Sequence, residues 1–91
     1  MWVVSQHMNL YKIEQDESNG WDTYDSAVVC ADNEEEARNM NPHSGATMTA
    51  KDWASSFSSW CSSPQNVTVT YLGKAPKDVP HGVVCASFNA G

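Results

Sequence analysis

The chain has 91 residues, of which 41% are hydrophobic and 10% aromatic, and this is enough for the core of one small domain. Five Lys and Arg residues against eleven Asp and Glu residues give a formal net charge of −6. This balance argues against binding to nucleic-acid phosphates or to anionic membranes, because both need clustered positive charge. No apolar run in the sequence approaches the roughly 20 residues of a membrane span.

The first segment precedes the patterned part of the chain. Residues 1–7 lack the basic region of a signal peptide, and Met8 offers a second start. We interpret residues 1–7 as a disordered leader or upstream start, and residues 8–91 as a single domain. The three cysteines show no CxxC spacing, which favours a reduced, cytoplasmic protein. Cys30 and Cys85 lie in apolar runs, so we expect both to be buried.

Two strands are predicted next along the chain. Residues 9–15 mix apolar and charged positions, as a half-exposed strand does. Residues 16–20 end in Asn-Gly, which is typical of a tight turn. Residues 26–31 form a continuous run of small apolar side chains, and this pattern favours a strand that is covered on both faces.

The clearest helix is predicted over residues 32–40. Asp32 is placed to cap its first turn, and Glu35 stands three residues later, as in a capping box. Arg38 lies toward the negative end of the helix dipole.

A second short helix is predicted from aromatic spacing. Trp53, Phe57 and Trp60 recur at intervals of four and three residues, with Asp52 as a candidate cap. We interpret the three rings as core residues, and a stacking platform for a flat ligand is the alternative.

Residues 66–72 alternate between apolar and Thr side chains, and residues 82–88 form a last apolar run, so both segments are predicted strands. The resulting order, ββαββ, predicts an α+β fold: a small four-stranded antiparallel sheet with one or two short helices on one face. The other face of such a sheet has no cover, which predicts a homo-oligomer or a ligand bound there.

The sequence does not favour catalysis. No serine stands in a nucleophile-elbow pattern, and the His and Cys residues are too scattered for a zinc site. We therefore predict a non-enzymatic protein without a metal or cofactor, and we interpret His43 and His81 as solvated loop residues.

Binding chemistry is concentrated in two segments. Residues 21–26 hold two aromatic, two carboxylate and two hydroxyl side chains, and residues 87–89 place an aromatic ring between a hydroxyl and an amide. Rings could stack on a base while the oxygens bind its polar groups; a turn that caps its own backbone and a plain strand end are the alternatives. Arg38 is the best candidate for a phosphate, because only Arg offers a bidentate fork. The predicted ligand-binding residues are Trp21, Asp22, Thr23, Tyr24, Asp25, Arg38, Ser87, Phe88 and Asn89.

Whole segments of the chain also resemble a widespread family of small phage and prophage accessory proteins. The resemblance is carried by Tyr-Asp-Ser-Ala-Val-Val (24–29), Glu-Glu-Glu-Ala-Arg-Asn-Met-Asn-Pro (34–42), Val-Thr-Tyr-Leu-Gly-Lys-Ala (69–75) and Gly-Val-Val-Cys-Ala-Ser-Phe-Asn-Ala-Gly (82–91), and it covers residues 8–91. It carries no catalytic residue over to this chain.

The resemblance implies a counter-defence protein that acts in the cytoplasm of a bacterial host. The first hypothesis is a sponge, a homo-oligomer that sequesters a small nucleotide immune signal. The second is an anti-CRISPR-like inhibitor whose acidic face occupies a basic channel of a defence complex; nine of the eleven acidic residues lie between Glu14 and Glu36. The third is an enzyme that hydrolyses such a signal with Asp22, Asp25 or His43.

Overall fold

The computed structural model describes residues 8–15, 23–55, 60–61 and 63–89. Its four strands are β1 (Asn9–Gln15), β2 (Thr23–Ala31), β3 (Val67–Lys74) and β4 (Gly82–Asn89). They form one antiparallel sheet in the order β3-β1-β2-β4. This confirms the predicted α+β fold with its ββαββ order. The predicted leader, residues 1–7, and the predicted turn, residues 16–20, lie outside the described residues.

The first helix, α1, spans Glu34–Arg38, so it is shorter than predicted. Its cap is Asn33, whose side-chain oxygen accepts a hydrogen bond from the Glu36 N–H at 2.9 Å. Asp32 instead donates its own backbone N–H to the Glu36 carboxylate at 2.7 Å. The prediction of Asp32 as the cap is therefore wrong by one residue, because either Asx side chain can cap a helix and the sequence does not decide between neighbours.

The second helix, α2, spans Ala50–Ser55. Thr49 and Asp52 form a reciprocal capping box: the Thr49 hydroxyl accepts from the Asp52 N–H at 3.3 Å, and the Asp52 carboxylate accepts from the Thr49 N–H at 2.9 Å. Asp52 is thus the partner of the cap rather than the cap. Because α2 ends at Ser55, Trp53 and Trp60 do not share a helix, yet both are buried in one core. Phe57 lies outside the described residues.

The core lies between one face of the sheet and the helices. Alternate residues of β1 and β2 point into it, together with α1, α2 and the segment that leads to β3. Its buried members are Tyr11, Ile13, Ala27, Val29, Ala31, Ala37, Met40, Met48, Trp53, Trp60, Cys61 and Val67. None of the helices formed by residues 34–55 is long and apolar enough to cross a bilayer.

Among the described residues, the opposite face of the sheet is only partly covered. Lys12 and Val28 are half-buried there, and Thr70 is exposed. Cys30 is fully buried on this face because Met8 and Val79 lie against it. Cys85 is exposed, so its predicted burial is wrong. It stands on an edge strand, beyond the cover that Met8 and Val79 provide, and an apolar strand sequence does not reveal which of its faces is covered.

Candidate functional site

The pairing of β2 with β4 brings the two predicted binding segments together. Tyr24 is opposite Phe88, and Thr23 is opposite Asn89. The two strands are far apart in the chain, so only the sheet order, with β4 on the outer side of β2, makes them neighbours. A β-bulge leaves Asp25 without an opposite residue in this ladder, and such bulges re-aim the neighbouring side chains.

The predicted residues divide between the two faces of the sheet. The rings of Tyr24 and Phe88 contact each other on the helix-bearing face, with centroids 4.7 Å apart and planes inclined at 57°. Ser87, the neighbour of Phe88, is exposed on the opposite face. Thr23 is almost completely buried, and Asp25 is exposed at the bulge. A single ligand on the helix-bearing face can therefore contact the Tyr24–Phe88 pair, but not Ser87.

A third ring, His43, completes this cluster. The Tyr24 hydroxyl and His43 Nδ1 are 2.7 Å apart and share a hydrogen bond, and the two ring centroids are separated by 6.0 Å. His43 is held in place by a turn in which the Asn41 side-chain oxygen accepts from the N–H groups of His43 and Ser44, at 2.7 and 3.1 Å. We call Tyr24, His43 and Phe88 the ring cluster.

Sequence reasoning treated His43 as a solvated loop residue, and it is indeed exposed. Its contact with Tyr24 was missed. The Asn41-Pro-His-Ser sequence is typical of an Asx turn, so the turn itself could have been predicted. The partner of His43 could not, because it is a tertiary neighbour 19 residues away in the chain.

The turn that carries His43 lies directly against β4. Gly45 has a positive φ of 78°. A Cβ atom built there would stand 3.3 Å from both Gly82 Cα and Val83 N. Glycine thus permits both the backbone conformation and the close approach. The same turn carries His43, whose imidazole contacts Tyr24 near the start of β2.

The ring cluster offers the kinds of contact that a flat ligand would use. Phe88 is 45% exposed, His43 is exposed and Tyr24 is half-buried, so a planar ring has apolar surface to contact. The hydroxyl of Tyr24 and the second nitrogen of His43 can exchange hydrogen bonds with polar groups on that ring. Within the described ranges, no three His, Cys, Asp or Glu residues are grouped as metal ligands would be.

Arg38 lies elsewhere in the molecule. Its guanidinium donates to the backbone oxygens of Pro64 and Val67, at 3.4 and 2.5 Å, and pairs with Glu34 at 3.0 Å. Val67 begins β3, which is separated from β4 by two strands, or about 14 Å from edge to edge. The predicted phosphate-binding residue is therefore not brought to the ring cluster, and its fork is occupied by acceptors of its own chain.

These contacts predict a structural effect for Arg38→Ala. The backbone oxygens of Pro64 and Val67 lose a charged donor, so we expect the free energy of unfolding to fall by about 2 kcal/mol. Thermal and urea denaturation measure this loss. Ligand affinity at the ring cluster is expected to stay unchanged. If the Arg38→Ala protein kept its stability but no longer bound the ligand, Arg38 would be part of the binding site. Lys51→Ala, on the exposed surface of α2, is the matched control for the loss of one positive charge.

A separate cavity of about 490 Å³ lies between α2 and the 3-10 turn Pro64–Asn66. Trp53 and Met48 form part of its wall, and Asn39 and Gln65 stand beside them. The Asn39 amide already donates to the backbone and side chain of Glu35, and the Gln65 side chain accepts from the Ser63 hydroxyl. The Asn39 amide nitrogen and the Gln65 amide oxygen are thus engaged within the chain. The ring cluster has exposed aromatic surface beside its polar groups, and we therefore take it as the candidate site.

The acidic residues of α1 form a second polar feature. Asp32, Glu34 and Glu35 are exposed around the start of the helix. Glu36 accepts from the Asp32 N–H and stands 3.0 Å from His81 Nε2. Partial burial acts to raise the pKa of the Glu36 carboxyl, but these two hydrogen bonds outweigh it, so the pKa lies below its ordinary value. Glu36 is thus held as a carboxylate beside its exposed neighbours.

Trp21 and Asp22, which were predicted as site residues, lie outside the described residues, and so does the side chain of Asn89. Comparison with known proteins adds no relative: no family model matches the chain, and neither the curated proteins nor the solved structures contain a match.

Proposed function

We propose that this protein is a non-catalytic binder that sequesters a small, ring-bearing nucleotide, and that it serves as a phage-type counter-defence factor in the cytoplasm of a bacterial host. The observation that supports the proposal best is the ring cluster. Phe88 is 45% exposed, and Tyr24 and His43 place hydrogen-bonding groups close to it. The counter-defence role follows from the resemblance of the segments around residues 24–42 and 69–91 to phage accessory proteins.

The cluster favours the base of the nucleotide over its phosphates. Stacking on an aromatic side chain is worth about 1–3 kcal/mol per base. The phosphates have no such partner from Arg38, which is bound to Glu34 and to backbone oxygens. We therefore propose that the nucleobase provides most of the affinity, and that ligands with fewer phosphates bind better to a protein of net charge −6.

Phe88→Ala tests the binding role. The substitution removes the exposed stacking face, so we expect affinity for adenosine monophosphate or ADP-ribose to fall by about tenfold. Isothermal titration calorimetry with each nucleotide measures the change. The matched control is Val84→Ala, which removes an exposed apolar side chain (48% exposed) from the same strand.

Two results would oppose the proposal. Equal nucleotide affinity of the parent protein and Phe88→Ala would show that the ring cluster is not the binding site. Recovery of a cleaved nucleotide after incubation would identify an enzyme. Intact ligand recovered after denaturation is the result that sequestration requires.

The acidic residues around α1 support a second candidate function, an inhibitor that binds the basic channel of a defence complex. Asp32, Glu34 and Glu35 are exposed together, and long-range attraction to a basic surface would be weakened by salt. Salt-sensitive binding to a purified CRISPR effector complex, lost in a variant with Asp32→Asn, Glu34→Gln and Glu35→Gln, would favour this candidate over nucleotide binding.

A further inference from the structure

Within the part of the chain that the structure describes, the outer edge of β3 has backbone hydrogen-bonding groups with no partner strand, and they stand at definite positions. Val67 donates its backbone N–H to the Pro64 oxygen, and its own oxygen accepts from Arg38. Both groups of Val67 therefore point away from β1, although Val67 is in register with Gln15 of that strand.

Successive residues of an antiparallel strand alternate in the direction of these groups. The register from Val67 to Tyr71 is regular, so Val69 and Tyr71 also direct their N–H and C=O groups outward. Among the described residues, no other strand lies on that side of β3. The edge thus presents two donors and two acceptors that another strand can bind.

The side chains of this edge suit a second copy of the same strand. No charged residue stands between Val67 and Gly73, whereas edge strands of monomeric proteins are commonly protected by charge or proline. Tyr71 is 58% exposed and Leu72 is 50% exposed. An uncharged strand meets its own copy without like-charge repulsion, even in a protein of net charge −6.

We infer that β3 pairs with β3 of a second copy, antiparallel about a two-fold axis at Thr70, so that two sheets become one continuous sheet. In this register Val69 of one copy lies opposite Tyr71 of the other. Their outward groups then form four hydrogen bonds across the axis. Each Val–Tyr pair is an aromatic and β-branched pair of the kind that stabilises sheets, and Thr70 meets its own copy on the open face.

The register also leaves the existing contacts of Val67 intact. If the two-fold axis passed through Val69 instead, Tyr71 of the second copy would lie opposite Val67. It would then compete with Arg38 and Pro64 for the backbone groups of Val67. Centring on Thr70 avoids this, and the register shift between Tyr71 and Gly73 ends the regular part of the strand before the partner's Pro64 is reached. The proposal specifies the homo-oligomer that the sequence predicts and does not involve the ring cluster, which lies at the other edge of the sheet.

Thr70→Lys tests the inference. Because Thr70 is exposed and lies on the axis, the substitution places two ammonium groups opposite each other without changing the core. The parent protein is expected to have twice the chain mass of 10.0 kDa by light scattering, and Thr70→Lys is expected to weaken dimerisation by about tenfold or more. Ser87→Lys, on the same face of the opposite edge strand, is the matched control and is expected to remain dimeric.

Cysteine cross-linking tests the register independently. Residues in a non-hydrogen-bonded pair have Cα atoms about 4.5 Å apart, which lies within the disulfide range of about 4.4–6.8 Å. Thr70→Cys in a Cys85→Ser background should therefore give a covalent dimer on mild oxidation, and Ser87→Cys in the same background should not.

The inference is overturned if the parent protein is monomeric at all concentrations, if Thr70→Lys leaves the dimer intact, or if only Ser87→Cys forms a cross-link. Nucleotide titration of Thr70→Lys keeps the two proposals separate. Loss of the dimer with retained nucleotide binding supports the β3 interface, and absence of nucleotide binding in a protein that dimerises through Thr70 opposes the proposed function alone.

Discussion

Trp60→Ala is expected to lower the free energy of unfolding by about 4 kcal/mol. Trp60 is only 1% exposed and belongs to the same buried cluster as Met48, Trp53 and Val67. Its removal leaves a large cavity in a domain whose whole stability is expected to be about 5–10 kcal/mol. The melting temperature should fall by more than about 15 °C, which circular dichroism or calorimetry measures.

Trp60→Phe is the control for this prediction. It keeps an aromatic ring in the core and removes the indole N–H, which is buried and finds no acceptor in the described part of the chain. The loss of a polar group without a partner offsets part of the lost packing, so the expected cost is below about 2 kcal/mol. Equal melting temperatures for the parent protein and Trp60→Ala would contradict the placement of Trp60 in a close-packed core.

Gly45→Ala is expected to cost about 2 kcal/mol in stability, because a non-glycine residue at a positive φ is strained by about 1–2 kcal/mol. The new Cβ would also stand 3.3 Å from backbone atoms of Gly82 and Val83, which cannot move without shifting β4. The turn must therefore move away from the strand, and His43 with it. Denaturation measures the stability, and the His43 ring resonances in an NMR spectrum report the contact with Tyr24.

Ala46→Ser provides the comparison for Gly45→Ala. Ala46 is the next residue in the same turn and is exposed, so its substitution should change stability by less than about 0.5 kcal/mol. A Gly45→Ala protein with unchanged stability and unchanged His43 resonances would show that the close approach of the turn to β4 is not needed.

Local patterns in the sequence located all four strands, although β2 begins at Thr23 rather than at residue 26, and Ser26 and Val28 are half-buried rather than covered. The β1 segment was predicted at its observed bounds, Asn9–Gln15, because apolar and charged positions are mixed there as in a half-exposed strand. The alternation of Val and Thr in β3 correctly separated its two faces, as the burial of Val67 and the exposure of Thr68 show. Periodicity of two residues is a backbone property, and it can therefore be recognised without knowledge of the fold.

The first residue of each helix could be predicted less well from the sequence than the strands. Asn33 caps α1 where Asp32 was predicted, and Thr49 with Asp52 caps α2 where Asp52 alone was predicted. Adjacent residues with similar hydrogen-bonding side chains compete for the same cap. The choice depends on the direction from which the preceding chain enters the helix, and that direction is set by packing.

Composition and local patterns were enough to predict an acidic α+β chain with four strands, and they gave Tyr24 and Phe88 as candidate binding residues. The contact between these two rings, the place of His43 beside them and the separate position of Arg38 could be learned only from the fold. Strand order and loop packing bring together residues that are distant in the chain. The strand order and the loop positions depend on how the whole core is buried, and no local pattern in the sequence reveals them.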